Sequence, residues 1–382
     1  MIAGVTLRLM MGVVAPAPAP KALADALVSA QVTANDVTAS GFQLTFHAST
    51  GSPVVREYLA QGFFDAPRRV VLLVGIGGRE TVLMDGVITR HELAVSSDPG
   101  ASTLTVTGSD LTQIMDLIDF SGIPLPMPPE ARVALLLTKY AMYGVVPVVL
   151  PSVLIAQPNP LDRMPKQRGT DLAYIRRLAG QVGYVFHVNP GPEPGMSVAY
   201  WGPQVKTGAV QRALSVNIDG ASNVDALNLS FDGIRKTVFI FYIQEENTKF
   251  PIPIPVPDIG PLNPPLGRRP PIPLSFTNLG NAAPEGEDDS SAKFDAMTAA
   301  MRGLARAAER ADVISGSGEI DVARYGGLLQ PRGLVGVRGA GPTYDGTYYV
   351  KSVSSTIKPG SFRQSFRLSR NAFESFTKEI AV

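Results

Sequence analysis

Hydrophobic and polar residues alternate with period two along much of this chain, most clearly between Arg332 and Asn371. Phe362, Gln364, Phe366 and Leu368 fall on one face of a single strand, and Arg363, Ser365, Arg367 and Ser369 fall on the other. Tyr344-Asp345-Gly346 and Lys358-Pro359-Gly360-Ser361 punctuate this stretch as turns. The pattern predicts an antiparallel meander with one wet face. A shorter version occurs earlier, where strands at Val82–Met84 and Leu104–Val106 flank Asp85-Gly86-Val87-Ile88. The chain therefore reads as two related β modules separated by other material.

The first module takes in strands over Met1–Val14, around Phe42, Leu44 and Phe46, and over Val70–Ile76, Val82–Met84, Val87–Val95 and Ser102–Thr107. Val70–Ile76 is apolar throughout, which predicts a strand buried on both faces or at an interface. Short helices are expected at Lys21–Ser29 and Leu111–Phe120. An α/β segment follows. Pro128-Pro129-Glu130 opens a helix that stops at Gly144. Thr170 caps a second helix, with Leu172, Ile175, Leu178, Ala179 and Val182 as its stripe and Gly183 as its end. Val145–Pro160 is expected to be extended. Tyr184–Val188 and Met196–Tyr200 read as a hairpin.

Strands resume at Ala213–Ile218, Ala226–Phe231 and Thr237–Ile243. Ten prolines lie in Pro251–Pro273, a composition that predicts a semi-rigid polyproline II arm. An acidic loop, Glu285–Asp289, precedes a predicted helix over Ser291–Asp312, whose seam is Phe294, Met297, Met301, Leu304 and Ala308. Residues 251–312 thus look like an insertion within the second module, whose strands return at Ser315–Ala323.

Composition narrows the function mainly by exclusion. A net charge of +1 in 382 residues favours neither nucleic acid nor an anionic membrane. The absence of cysteine removes disulfides, thiolate metal sites and a cysteine nucleophile. No apolar run approaches the roughly 20 residues that span a bilayer. Leu7–Val14 with Ala15–Pro20 loosely imitates a signal peptide, but the apolar run is short and contains Arg8, so an extended linker is expected. The three histidines, His47, His91 and His187, lie in separate predicted strands and lack metal-ligand spacing. Gly75-Ile76-Gly77-Gly78 and Gly339-Ala340-Gly341 lack the third glycine of a dinucleotide fingerprint and read as turns. The acidic loop lacks calcium-loop spacing. No catalytic, cofactor or metal residues are assigned, and no cofactor is expected.

Three blocks together carry a resemblance. Gly333–Gly339, Tyr344–Val353 and Gly360–Asn371 form the first; Asp171–Ala179 with Gly183–Phe186 and Met196–Tyr200 form the second; Met84–Ile88 with Leu104–Asp110 form the third. In their order and spacing along the chain, from Met84 to Asn371 and so over roughly residues 80–372, they resemble the late-control D family, the tail hub proteins of contractile phages and related injection particles. The Pro-rich arm and the helix after it lie outside that pattern. The resemblance implies a fold that is mainly β with α+β insertions: two related tube-type β-barrel domains plus a small α/β domain. The expected division is 1–110 for the first barrel, 111–209 for the α/β domain, and 210–250 with 313–382 for the second barrel, carrying 251–312 as an insertion.

The resemblance also implies a structural role: a VgrG-like homotrimer, forming a pseudo-sixfold ring that adapts a hexameric inner tube to a separate trimeric spike and contacts other baseplate proteins. Such a ring would be assembled in the bacterial cytoplasm as part of a phage tail or injection particle. No sequence-specific nucleic-acid binding and no stable membrane insertion are expected. Leu72 and Val74 on the apolar strand, and Met297, Met301 and Leu304 on the inserted helix, are the candidate interface residues. The competing readings are a secreted β-rich hydrolase acting on cell wall or polysaccharide, and a monomeric binding module on a tail fibre.

Overall fold

The computed structural model describes residues 5–98, 100–152, 165–218, 222–244, 251–256, 263–278, 303–305, 307–308 and 310–377. The period-two segments become strands nearly everywhere the sequence places them. In chain order the first are β1 (Val5–Gly12), β2 (Ala17–Pro18), β3 (Leu27–Asn35), β4 (Gly41–His47), β5 (Arg69–Ile76), β6 (Arg79–Ala94) and β7 (Thr103–Asp110). Helix α1 (Lys21–Ala26) ends three residues before its predicted limit, because Leu27 already enters β3. Asp85-Gly86 lies inside the sixteen-residue β6, where Val71 and Val70 of β5 pair with it. The sequence reading of this dipeptide as a separator between strands is therefore corrected.

Leu111–Asp116 forms a 3₁₀ turn, shorter than the predicted helix, with the Asp110 carboxylate accepting from the Thr112 amide. Helix α2 (Pro129–Thr138) and a 3₁₀ turn (Ala141–Tyr143) end at Gly144, whose φ of 69° is left-handed and where the Gly195 carbonyl leaves no room for a Cβ. Strand β8 (Val145–Val149), helix α3 (Asp171–Val182), β9 (Val185–Pro190) and β10 (Ser197–Gly202) complete the α/β segment. The Thr170 hydroxyl accepts from the Ala173 amide and Gly183 closes α3 in the left-handed region, as the capping signals predict.

The remaining strands are β11 (Val210–Ser215), β12 (Ala226–Phe231), β13 (Thr237–Gln244), β14 (Pro251–Val256), β15 (Ser275–Asn278), β16 (Ile314–Asp321), β17 (Leu334–Arg338), β18 (Gly346–Lys358) and β19 (Ser361–Arg370), with the short helix α4 (Val322–Tyr325) after β16. Here the structure corrects the polyproline arm. Pro251–Val256 pairs antiparallel with β13, and β15 pairs parallel on its other side. Proline occupies only alternate positions, opposite Gln244, Tyr242 and Ile240. Ile252, Ile254 and Val256 therefore supply the donors that the prolines lack, and an edge strand tolerates the missing ones. The Glu285–Asp289 loop lies outside the described residues.

Thirteen strands form one sheet in the order β12-β16-β19-β18-β3-β4-β7-β6-β5-β1-β2, with β17 on β18 and β11 on β17. Two groups within it share one strand order. Spatially the first runs β1-β5-β6-β7-β4-β3 and the second β11-β17-β18-β19-β16-β12; labelled by chain position, both are first-fourth-fifth-sixth-third-second. One pairing differs in sense, since β1–β5 is antiparallel and β11–β17 parallel. Each group has its own apolar core, around Leu44, Phe46, Leu72 and Val106 in one and Val335, Tyr348, Phe366 and Leu368 in the other; a third core, around Leu172, Ile175 and Trp201, fills the α/β segment.

Candidate functional site

The sheet's outward face crosses both groups without interruption. One row across it runs Asp321, Arg363, Thr356, Gln31, Gln43, Thr107 and Arg90, each paired with the next. A second runs Asn228, Ser317, Arg367, Ser352 and Asn35. Hydroxyls, amides and a few charges dominate these rows, while Phe42, Val32, Val353 and Phe366 point to the other face and are buried. The charges are partly paired: Arg363 donates to Glu319 and Asp225, and Arg324 also holds Asp225. A shallow concavity of about 690 Å³ lies on this face over the join, lined by Thr33, Asn35, Ser317, Ser352, Ser354 and Arg367.

The join between the two groups is the pairing of β18 with β3. Ser352 to Ile357 pair antiparallel with Asn35 to Ala30, and the Thr33 and Ser354 hydroxyls lie 2.8 Å apart. Behind the seam, the Arg332 guanidinium donates to the Asn35 carbonyl, the Ser40 hydroxyl and the Asn189 side-chain oxygen, thereby touching the first group and the α/β segment from the second. Burial lowers the pKa of Arg332, although Asp110, Tyr349 and Asp36 nearby oppose the shift. His187, stacked on Tyr200, is pushed down to about 3, first by burial and second by the Arg332 charge.

Two further buried ion pairs fix the other contacts. Arg69 donates through two nitrogens to both carboxylate oxygens of Asp85, at 2.7 and 2.6 Å, and Asp85 also accepts from Ser197 of the α/β segment. Lys206 donates to Asp312 at 2.9 Å and to the Asn263 side-chain oxygen at 2.8 Å. Burial pushes the Asp312 carboxyl up, but Lys206, Lys351 and the Ser369 hydroxyl outweigh it and hold the group below the usual carboxylate range. Among the described residues no group of three or more His, Asp or Glu could hold a metal ion, and no helix is long and apolar enough to cross a membrane.

The sequence-predicted interface residues are dispersed. Leu72 and Val74 are both 0% exposed and belong to the first group's own core. They have no surface left to offer another chain, because their side chains face that core while β1 and β6 take both edges of β5. Leu304 sits in a helical stretch and is half-buried; Met297 and Met301 lie outside the described residues. What sequence reasoning missed is a pair of strand edges without a partner among the described residues, the distal half of β6 (Thr89–Ala94) and β12. Strand β12 itself was legible, since Leu227, Leu229 and Phe231 alternate with Asn228 and Ser230, but nothing in a linear pattern says which edge goes unpaired.

No protein-family model and no curated protein matches the chain. Solved structures do. The tail protein from Neisseria meningitidis MC58 is 13% identical, with a TM-score of 0.58 over 96% of this chain and 97% of its own. The 43 kDa tail protein of prophage MuSo2 from Shewanella oneidensis is also 13% identical, with a TM-score of 0.59 over 97% of this chain and 100% of its own. An E. coli component of the type VI secretion system, itself similar to T4 bacteriophage tail proteins, is 11% identical, with a TM-score of 0.50 over 93% of this chain and 75% of its own. The chain has the β-rich fold of these tail proteins.

Proposed function

We propose that this chain is the structural hub of a contractile tail or injection-system baseplate, in which three copies form a ring between a hexameric inner tube and a trimeric spike. The observation that carries the reading is the strand order that occurs twice in one chain. A chain with two like modules offers two like docking positions, so three chains offer six to a hexameric tube while keeping threefold symmetry for a spike. The two groups then correspond to barrel domains at 1–110 and at 210–250 with 313–382, joined through the α/β domain at 111–209. The uninterrupted polar face suits the wall of a water-filled passage. The fold shared with tail proteins supports the assignment.

The role is structural, without catalysis. The outward carboxylates Glu319 and Asp225 are engaged by arginines. Particle assembly would take place in the bacterial cytoplasm. The 251–312 insertion is proposed to meet a neighbouring subunit or another baseplate protein, yet it is also part of the fold. Asn263 and Asp312 are partners of the buried Lys206, so removing 251–312 strands that ammonium and costs stability as well as contacts.

The test is genetic. Cells producing the particle without this chain should yield no tubes attached to baseplates, and the intact chain supplied separately should restore them. Normal particles in its absence would refute the reading. Reproducible hydrolysis of peptidoglycan, lost on changing one carboxylate, would refute its non-catalytic part.

A further inference from the structure

The repeat between the two strand groups extends to single residues, and one of its contacts has no counterpart among the described residues. Both long strands bulge against the strand that follows them, β6 between Ile88 and Arg90 and β18 between Val350 and Ser352. Aligning the bulges makes Arg90 the equivalent of Ser352. The ladders then run Arg90, Thr107, Gln43, Gln31 in the first group and Ser352, Arg367, Ser317, Asn228 in the second. Gln31 of β3 is therefore the equivalent of Asn228 of β12.

Within the chain, the distal half of β18 is covered by β3. The equivalent half of β6 has β7 on one edge and, among the described residues, no strand on the other. Leu93 there and Val95 just beyond it are 37% and 74% exposed. Strand β12 pairs with β16 and likewise has no second partner among the described residues, leaving Phe231 41% exposed. Each edge lacks the partner that its equivalent has.

We propose that the distal edge of β6 pairs antiparallel with the free edge of β12 in a second copy of this chain, repeating between chains the β18–β3 seam found within one. Carrying over the register of that seam, in which Ser352 meets Asn35, sets Arg90 opposite Asp232 and Glu92 opposite Ser230. On the inner face it sets His91 against Phe231, Leu93 against Leu229, and Val95 against Leu227. The register comes from backbone equivalence alone, yet it brings a cation to an anion and covers the apolar side chains that both edges expose. The contact is head-to-tail, so it propagates until a ring closes. This seam deepens the hub reading and rests on it.

The chain has no cysteine, so an introduced pair supplies its only thiols. Glu92→Cys and Ser230→Cys replace the equivalents of Ser354 and Thr33, whose hydroxyls are 2.8 Å apart. In sedimented particles, the double variant should cross-link between chains on oxidation about tenfold more than either single variant, or than Glu92→Cys with Asn228→Cys, whose positions are out of register. Arg90→Asp should stop ring formation, and adding Asp232→Arg should restore it. A ring that forms without either result overturns the seam and leaves the hub reading standing. A folded chain absent from any ring overturns both.

Discussion

At the scale of single residues, the molecule depends on charges taken out of water at the contacts between its parts. Arg69 and Asp85 have side chains 2% and 0% exposed. Asp85→Ala leaves the guanidinium buried without its anion and should cost about 3–5 kcal/mol in urea unfolding; a loss under about 1 kcal/mol would contradict this role. His187 gives a pH-dependent test. Folding holds it neutral down to about pH 3, whereas in the unfolded chain it protonates near 6.5. The unfolded state therefore binds more protons as pH falls through that window, and stability drops by about 1.4 kcal/mol per pH unit from this group. His187→Gln should flatten the fall in unfolding midpoint below pH 6.5, and an unchanged slope would show that other groups carry it. None of this was legible in the sequence. The dipeptide Asp85-Gly86 looks like a turn until the β5–β6 register brings Asp85 beside Arg69, and His187 looks like any strand histidine until Arg332 arrives from residues far away in the chain.

At the scale of elements, the sequence was most informative where a local rule acts alone. The Thr170 cap, the Gly183 stop and the alternation in β19 follow from backbone chemistry, and the buried Gln364 in that strand's apolar row is satisfied by Leu329 and Ser355. The rule failed at Pro251–Val256, because proline content says that donors are missing but not that a neighbouring strand can use those remaining. Ile254→Pro removes such a donor and should abolish exchange protection in β13, at a cost of about 3 kcal/mol or more, while Pro253→Ala should leave it intact. Equal effects from both would contradict the pairing. The one-turn π-helix at Val54–Leu59 had no signal in composition or period. The apolar run at Val70–Ile76 was ambiguous between core and interface, and burial decides for core. Leu72→Asp should therefore prevent folding, measured as loss of a cooperative transition, and a folded, soluble variant would contradict that placement.

At the scale of the whole molecule, the order of three motif blocks carried a resemblance to a tail hub family, and the chain shares its fold with tail proteins. The continuity of the sheet was not legible, since the pairing of β3 with β18 joins residues more than three hundred positions apart. That join gives the molecule its polar face, and its equivalent between chains would extend the face around a ring. The number of copies in that ring is the central quantity. Cryo-electron microscopy of the assembled particle measures it directly: three copies should encircle the axis beneath a hexameric tube, their six sheet groups in near-sixfold arrangement. Any other copy number, or a single copy off the axis, would contradict the hub.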